Sequence, residues 1–149
     1  MKTKIAITSL ASISPLGKTP EAIWANYLSP QTLISTKDFD GQKLFVSTIP
    51  AEIRTGIAEL RKEDIKYKAL DETVLLAILA SRKAIAEAGW KQGDDFGINI
   101  GSSRGATQLF EKYHREFLET GKTATLTSPT TTLGNISTWV AHDLKSAGP

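Results

Sequence analysis

The sequence predicts an α/β fold, a largely parallel sheet with packed helices. Two observations carry the prediction. Short apolar runs at residues 5–10, 44–49 and 96–101 read as strands, the first of them rich in β-branched side chains. Between them lie longer segments whose apolar residues recur at helical spacing, and strands alternating with helices build a parallel layer. A third observation sets the scale. The chain has 149 residues, 40% of them hydrophobic and 23% charged, which suits one ordinary globular domain or part of a larger one.

The elements follow in order. Ile5-Ala6-Ile7-Thr8-Ser9-Leu10 predicts a short buried strand, and Ser14-Pro15-Leu16-Gly17 a turn. Thr19 is the expected N-cap of a first helix, with Pro20 at its first position and Glu21 near the positive end of its dipole. Ile23, Trp24, Tyr27 and Leu28 share one face of that helix, which Ser29-Pro30 ends. Residues 31–42 are polar and predict a loop. A strand over 44–49 is closed by Pro50, and a short helix follows over 51–60. The stretch 61–68 mixes both charge signs and predicts a solvated segment. Residues 70–88 predict the central helix. From Val74 to Ala80 its apolar residues cover almost the whole circumference, as in a helix buried on several sides, and Gly89 supplies the stop. In the strand 96–101 isoleucine alternates with glycine and asparagine, and the loop Ser102-Ser103-Arg104-Gly105 follows. Residues 107–120 predict an amphipathic helix carrying Leu109, Phe110, Tyr113, Phe117 and Leu118. Six threonines and Pro129 within 123–132 predict a loop, and 135–144 a last helix. Strands 5–10 and 96–101 are expected as neighbours in one sheet, with the helix 70–88 buried.

Composition excludes several classes of function. The 18 basic and 16 acidic residues leave a net charge of +2 and are scattered along the chain. A nucleic-acid binder would carry a basic stripe of one sign, so no nucleic-acid partner is expected. The longest apolar segment, 74–80, falls far short of the ~20 residues that cross a bilayer. Met1-Lys2-Thr3-Lys4 before an apolar run superficially resembles a secretory leader, but Thr8, Ser9 and Ser12 interrupt the run. The expected location is cytoplasmic, with no membrane partner. The sequence contains no cysteine, which removes disulfides, thiolate metal sites and cysteine nucleophiles from these residues.

The candidate chemical groups are few. Gly101-Ser102-Ser103-Arg104-Gly105 joins a strand to a helix, but neither the P-loop nor the dinucleotide pattern is present. A tight turn is expected there, with anion binding at the helix start as the alternative. His114 and His142 have no second histidine at metal-ligand spacing and read as surface or packing residues. Asp38, Asp40, Asp94 and Asp95 sit in predicted loops, where such acids cap or end elements. The serines lack a G-x-S-x-G elbow. Trp24, Trp90 and Trp139 read as core or element-end residues. These residues therefore offer no catalytic set, no metal site and no cofactor site.

The order of segments nevertheless resembles a known family. Ile5-Ala6-Ile7-Thr8-Ser9-Leu10-Ala11-Ser12-Ile13-Ser14-Pro15-Leu16-Gly17 is similar to the opening V-x-I-T-G-x-G-x-x-S-P-L-G of the β-ketoacyl-acyl-carrier-protein synthases, condensing enzymes of the thiolase fold. Trp24 and Leu28 resemble the family's W-x-x-L helix. Asp71 and the alanine-rich helix ending Glu87-Ala88-Gly89 resemble its D-x-x-x-x-x-A…A-x-x-x-A-G segment. Gly97-Ile98-Asn99-Ile100-Gly101-Ser102 resembles G-x-x-x-G-S, Ser128-Pro129 with Asn135 resembles S-P…N, and Leu144 to Gly148-Pro149 is similar to G-L-x-G-P. Ser9 and Ala11 depart from family glycines, and Trp139 stands where a small residue is usual.

The resemblance implies a partial thiolase-like fold, an N-terminal synthase domain over 1–149 that ends before the nucleophile strand. It implies a parent reaction in which an acyl thioester condenses with a malonyl thioester as carbon dioxide leaves, in fatty-acid or polyketide-type synthesis. In the family a cysteine after the Gly-Pro takes the acyl chain, and two later histidines assist decarboxylation. His114 and His142 match neither histidine motif, so no catalytic residue is assigned here. Arg104 occupies a position that is commonly apolar in elongating synthases and faces the acyl pocket, often across a dimer. It is the one candidate substrate-binding residue, able to narrow the pocket or meet a polar group, with a surface salt bridge as the alternative. The implied partners are acyl carrier protein and a second synthase subunit, and this chain alone is expected to be inactive. A non-catalytic module that binds a carrier protein or a synthase partner is the alternative, and an unrelated small ligand-binding domain a further one.

Overall fold

The computed structural model describes residues 4–148; the basic start Met1-Lys2-Thr3 and the closing Pro149 lie outside them. Helix α1 (Pro20–Leu28) begins as the sequence predicts. The Thr19 hydroxyl accepts the Ala22 amide at 3.2 Å, Pro20 takes the first turn, and the chain leaves the helix at Ser29. The preceding turn closes with paired backbone hydrogen bonds between Ser14 and Gly17, 2.9 and 3.0 Å long.

Residues 31–42 are not a loop throughout. Strand β1 (Ile34–Phe39) pairs antiparallel with β2 (Gln42–Ser47), Ile34 facing Ser47 and Phe39 facing Gln42. Asp40 and Gly41 form the two-residue connection, both at positive φ (51° and 85°), the conformation that a tight right-twisted hairpin demands. The Asp38 carboxylate accepts the Gly41 amide at 2.9 Å. Strand 44–49 is thus realised two residues earlier, at 42–47.

Helix α3 (Glu72–Ala88) is the centre of the core. Its Val74, Leu75 and Ile78 are wholly buried. Ile53, Ile57 and Leu60 of α2 (Ala51–Glu63) cover one side, and Ile136, Val140 and Leu144 of α6 (Asn135–Leu144) the other. Phe96 and Leu70 complete the cluster. Gly89 ends α3 in the left-handed conformation. The mixed-charge stretch 61–68 is more structured than a solvated segment. It finishes α2, then forms a 3-10 helix (Ile65–Ala69) that buries Tyr67. Arg61 fastens this turn by donating to the carbonyls of Lys68 and Leu70 at 2.7 and 3.2 Å.

Helix α4 (Thr107–Thr120) forms where expected but buries none of its residues; Phe110, Phe117 and Leu118 remain exposed. The threonine-rich stretch holds a short helix, α5 (Thr127–Thr131), in place of the expected loop. Its hydroxyls bond back to the preceding turn, Thr130 to the Leu126 carbonyl at 2.6 Å and Thr131 to that of Thr127 at 2.7 Å. Trp24 is not a core residue: it is exposed and stacks on Tyr27 at 5.8 Å. Trp90 packs on Phe96 and Trp139 packs on the core.

The largely parallel sheet is not formed among the described residues. Their one ladder is the antiparallel hairpin, and residues 5–10 and 96–101 pair neither with each other nor with it. Ile5, Ile7 and Leu10 are 93%, 80% and 76% exposed. β-branched composition records fitness for a pleated, covered surface, whereas a strand needs a neighbour ≈ 4.7–4.9 Å away to take its hydrogen bonds. The first segment is tied to α3 through the Ser9 hydroxyl, which donates to the Ala84 carbonyl at 2.7 Å. The second is anchored by buried Phe96, whose carbonyl accepts the Ser146 hydroxyl.

Candidate functional site

The segment carrying Arg104 is a shaped turn. The Gly105 amide donates to the Ser102 hydroxyl at 2.9 Å, and Thr107 donates through its hydroxyl to the Arg104 carbonyl at 3.2 Å. Gly105 has φ +60°, and a Cβ there would meet the Leu133 side chain at 3.2 Å. The left-handed backbone therefore favours glycine, and an added Cβ would also crowd the Leu133 side chain. Gly105 and Ala106 are buried while Arg104 is exposed and makes no ion pair among the described residues. The surface salt bridge expected as an alternative is absent there.

Ala106, at the cap position of α4, has no side chain to accept an amide. Asp71 supplies the acceptor from elsewhere in the chain. Its carboxylate is 4% exposed; one oxygen accepts the Thr73 amide at 2.9 Å and the other the Leu109 amide at 3.1 Å. One buried carboxylate thus caps α3 and α4 together, where both helices place their unsatisfied amides and positive dipole ends. The predicted helix 70–88 takes in Asp71 without marking it as a cap, although it proves to be the N-cap of α3. Its second bond has no local signal.

A second buried carboxylate, Asp143, escaped the sequence reading. It accepts the Tyr67 hydroxyl at 2.7 Å and two bonds from the Arg82 guanidinium at 2.9 and 2.7 Å. Arg82 also pairs with Glu63 at 2.8 Å. Burial first, then the hydrogen bond to Asp143, pushes the Tyr67 hydroxyl up to about 12. The hydrogen bond to Asp143 comes first among the causes that hold Arg82 still more firmly protonated than an ordinary guanidinium. Asp143 accepts three bonds within the protein through both oxygens, so the network ties α2, the 3-10 helix, α3 and α6 together as a buried structural tie.

The remaining candidates are dispersed. His114 is exposed and stacks on Phe110 at 6.0 Å, and His142 lies edge-on to Trp139 at 5.5 Å. Asp94 accepts the Lys91 amide at 2.8 Å, a turn role like that of Asp38, and Asp95 is exposed. Among the described residues no three acids or histidines gather into a metal-holding group, and no helix is long and apolar enough to cross a membrane.

The backbone path has solved counterparts. A β-ketoacyl synthase from Burkholderia phymatum superposes with a TM-score of 0.66 over 96% of this chain and 37% of that one, at 17% identity. The overall fold is accordingly thiolase-like α/β. Residues 2–149 match the family described as "Beta-ketoacyl synthase, N-terminal domain", and the chain belongs to that family. Among curated proteins it is similar to 3-oxoacyl-(acyl-carrier-protein) synthase 2 of Vibrio cholerae, 23% identical over 125 residues, 80% of this chain and 30% of that protein. The same enzyme of Staphylococcus aureus is 23% identical over 122 residues, 79% of this chain and 30% of that one. The chain therefore spans about 30% of the length of the curated relatives it matches.

Proposed function

We propose that this chain is the N-terminal segment of a condensing enzyme that joins an acyl thioester to a malonyl thioester with loss of carbon dioxide, and that it does not catalyse this step alone. The family match over residues 2–149 carries the reading. The absence of cysteine from the 149 residues supports the second clause, because the acyl group has no thiolate to attack it here. The names of the relatives, 3-oxoacyl-(acyl-carrier-protein) synthases, support acyl carrier protein as partner. The reading places the reaction in fatty-acid or polyketide-type synthesis, with a second synthase subunit completing the assembly. A cytoplasmic site of action goes with that chemistry. The nucleophile strand and the catalytic histidines would come from sequence beyond these residues. Segments 5–10 and 96–101 would then find partners in a largely parallel sheet.

Within this reading Arg104 is the substrate-facing residue. It is exposed, unpaired by any acid among the described residues, and held on a turn closed by the Gly105 amide on the Ser102 hydroxyl and by the Thr107 hydroxyl on the Arg104 carbonyl. A cation at the wall of an acyl pocket would disfavour a long apolar chain through the cost of leaving its charge unsolvated. The test is a condensation assay of the purified chain with acyl- and malonyl-loaded carrier protein. No 3-oxoacyl product is expected, and turnover above a protein-free control would sink the proposal. The alternative, a non-catalytic module binding a carrier protein or synthase partner, shares the absence of turnover; a related second half of the coding sequence that lacks the cysteine nucleophile would favour it.

A further inference from the structure

Helix α2 carries a glycine in its middle, Gly56, which faces Leu79 of α3. Glycine is an unfavourable helix-interior residue, kept where the backbone or the space around it needs it. Neither need applies here. Gly56 lies within regular helix, and a Cβ built on it would meet only the Leu79 methyl, at an ordinary 3.6 Å. What the missing side chain leaves is open volume. Gly56, Ile13, Ile53 and Leu79 form the apolar floor of a cavity of about 270 Å³ between α2, α3 and the turn before α1.

The rim of that cavity is charged. Lys18 and Lys83 stand on it against a single acid, Glu52. Lys18 makes no ion pair among the described residues. Lys83 donates to the Lys18 carbonyl and lies 3.7 Å from Glu87, which leaves a donor of its three for another acceptor. An apolar floor under a rim whose Lys18 has no ion pair among the described residues, and whose Lys83 keeps a donor to spare, matches an amphiphilic anion. Pockets for drug-sized ligands run to roughly 300–1,000 Å³, so the occupant is smaller than those.

We propose that this cavity binds a short-to-medium-chain alkyl carboxylate, tail against Ile13, Ile53 and Leu79 and head group at Lys83 and Lys18. The site is separate from the Arg104 turn and does not depend on the condensing reaction. The probe is sodium octanoate, titrated into the 149-residue protein by calorimetry and by methyl NMR. Saturable binding is expected, with shifts at Ile13, Ile53 and Leu79. Gly56→Leu, which fills the cavity, should weaken binding by about tenfold or more. Lys83→Gln should weaken it by roughly threefold, the scale of a solvent-exposed charge pair. Octylammonium should bind more weakly than octanoate. Because Gly56→Leu risks the helix packing, Gly56→Ala is run beside it; it fits the observed space and should reduce affinity while remaining folded. Absence of saturation, unchanged affinity in a folded Gly56→Leu or Gly56→Ala protein, or equal binding of octylammonium would overturn the proposal.

Discussion

Asp71 and Leu109 are 38 residues apart in sequence and joined by a 3.1 Å hydrogen bond, carboxylate to amide, that caps α4 from the start of α3. Because Ala106 has no acceptor, this bond takes the place of a local cap. Asp71→Ala should remove both amide contacts at once and destabilise the chain by about 2–4 kcal/mol, from lost capping and two stranded donors. Asp71→Asn keeps an acceptor oxygen for one amide and should cost about half as much. Urea unfolding of the three proteins checks the order, and amide exchange should show Leu109 losing protection.

The Arg82–Asp143 pair gives a second prediction. Asp143 is buried and Arg82 is partly open to solvent. Removing the guanidinium with Arg82→Met leaves a carboxylate held only by Tyr67 and should cost about 2–3 kcal/mol, below the 3–5 of a fully buried pair because water reaches one partner. Arg82→Met with Asp143→Leu should be less destabilising than the sum of the two single changes. A double-mutant cycle by urea unfolding measures that coupling.

Tyr67 makes stability depend on alkaline pH. Burial, then the hydrogen bond to Asp143, pushes its hydroxyl up to about 12 in the folded chain from an ordinary tyrosine value of about 10, so the folded state holds a proton that the unfolded state has released between those values. The contribution is fully present below pH 10 and is lost as pH rises towards 12, by roughly 2–3 kcal/mol in all. Lysines titrate in the same range, so the comparison is with Tyr67→Phe. The difference in unfolding free energy between the two proteins should shrink from pH 9 to pH 12.

Two glycines should respond in opposite directions to alanine. Gly105→Ala places a Cβ in the left-handed region and 3.2 Å from Leu133, and should cost about 1–2 kcal/mol. Gly56→Ala has ordinary backbone and room, and should stabilise by about 0.5–1 kcal/mol. Thermal melts of the two variants distinguish them by the sign of the change.

Much of the helical framework was legible from local chemistry. Thr19-Pro20 announces α1, the apolar run 74–80 and the Gly89 stop find α3, and the patterning of 107–120 and 135–144 finds α4 and α6. The second strand of the hairpin was legible in its apolar run, but the first was missed although Asp40-Gly41 is a turn signal, because Ser35 to Asp38 are polar and exposed and lack the apolar alternation of a half-buried sheet. α5 was missed because threonines whose hydroxyls bond to the preceding turn have the composition of a loop.

What the sequence determined by itself is what depends on near neighbours: caps, helical faces, the turn at 14–17, and the ordered motifs that resemble the synthase family. What only the tertiary structure decided is pairing across distance. It left 5–10 and 96–101 without ladder partners among the described residues, and it carried Asp71 to Leu109 and Asp143 to Tyr67 and Arg82. A ladder or a buried ion pair exists only when a second segment satisfies the first, and the energy that places that segment is the burial of the α2–α3–α6 core rather than any property of the residues that meet.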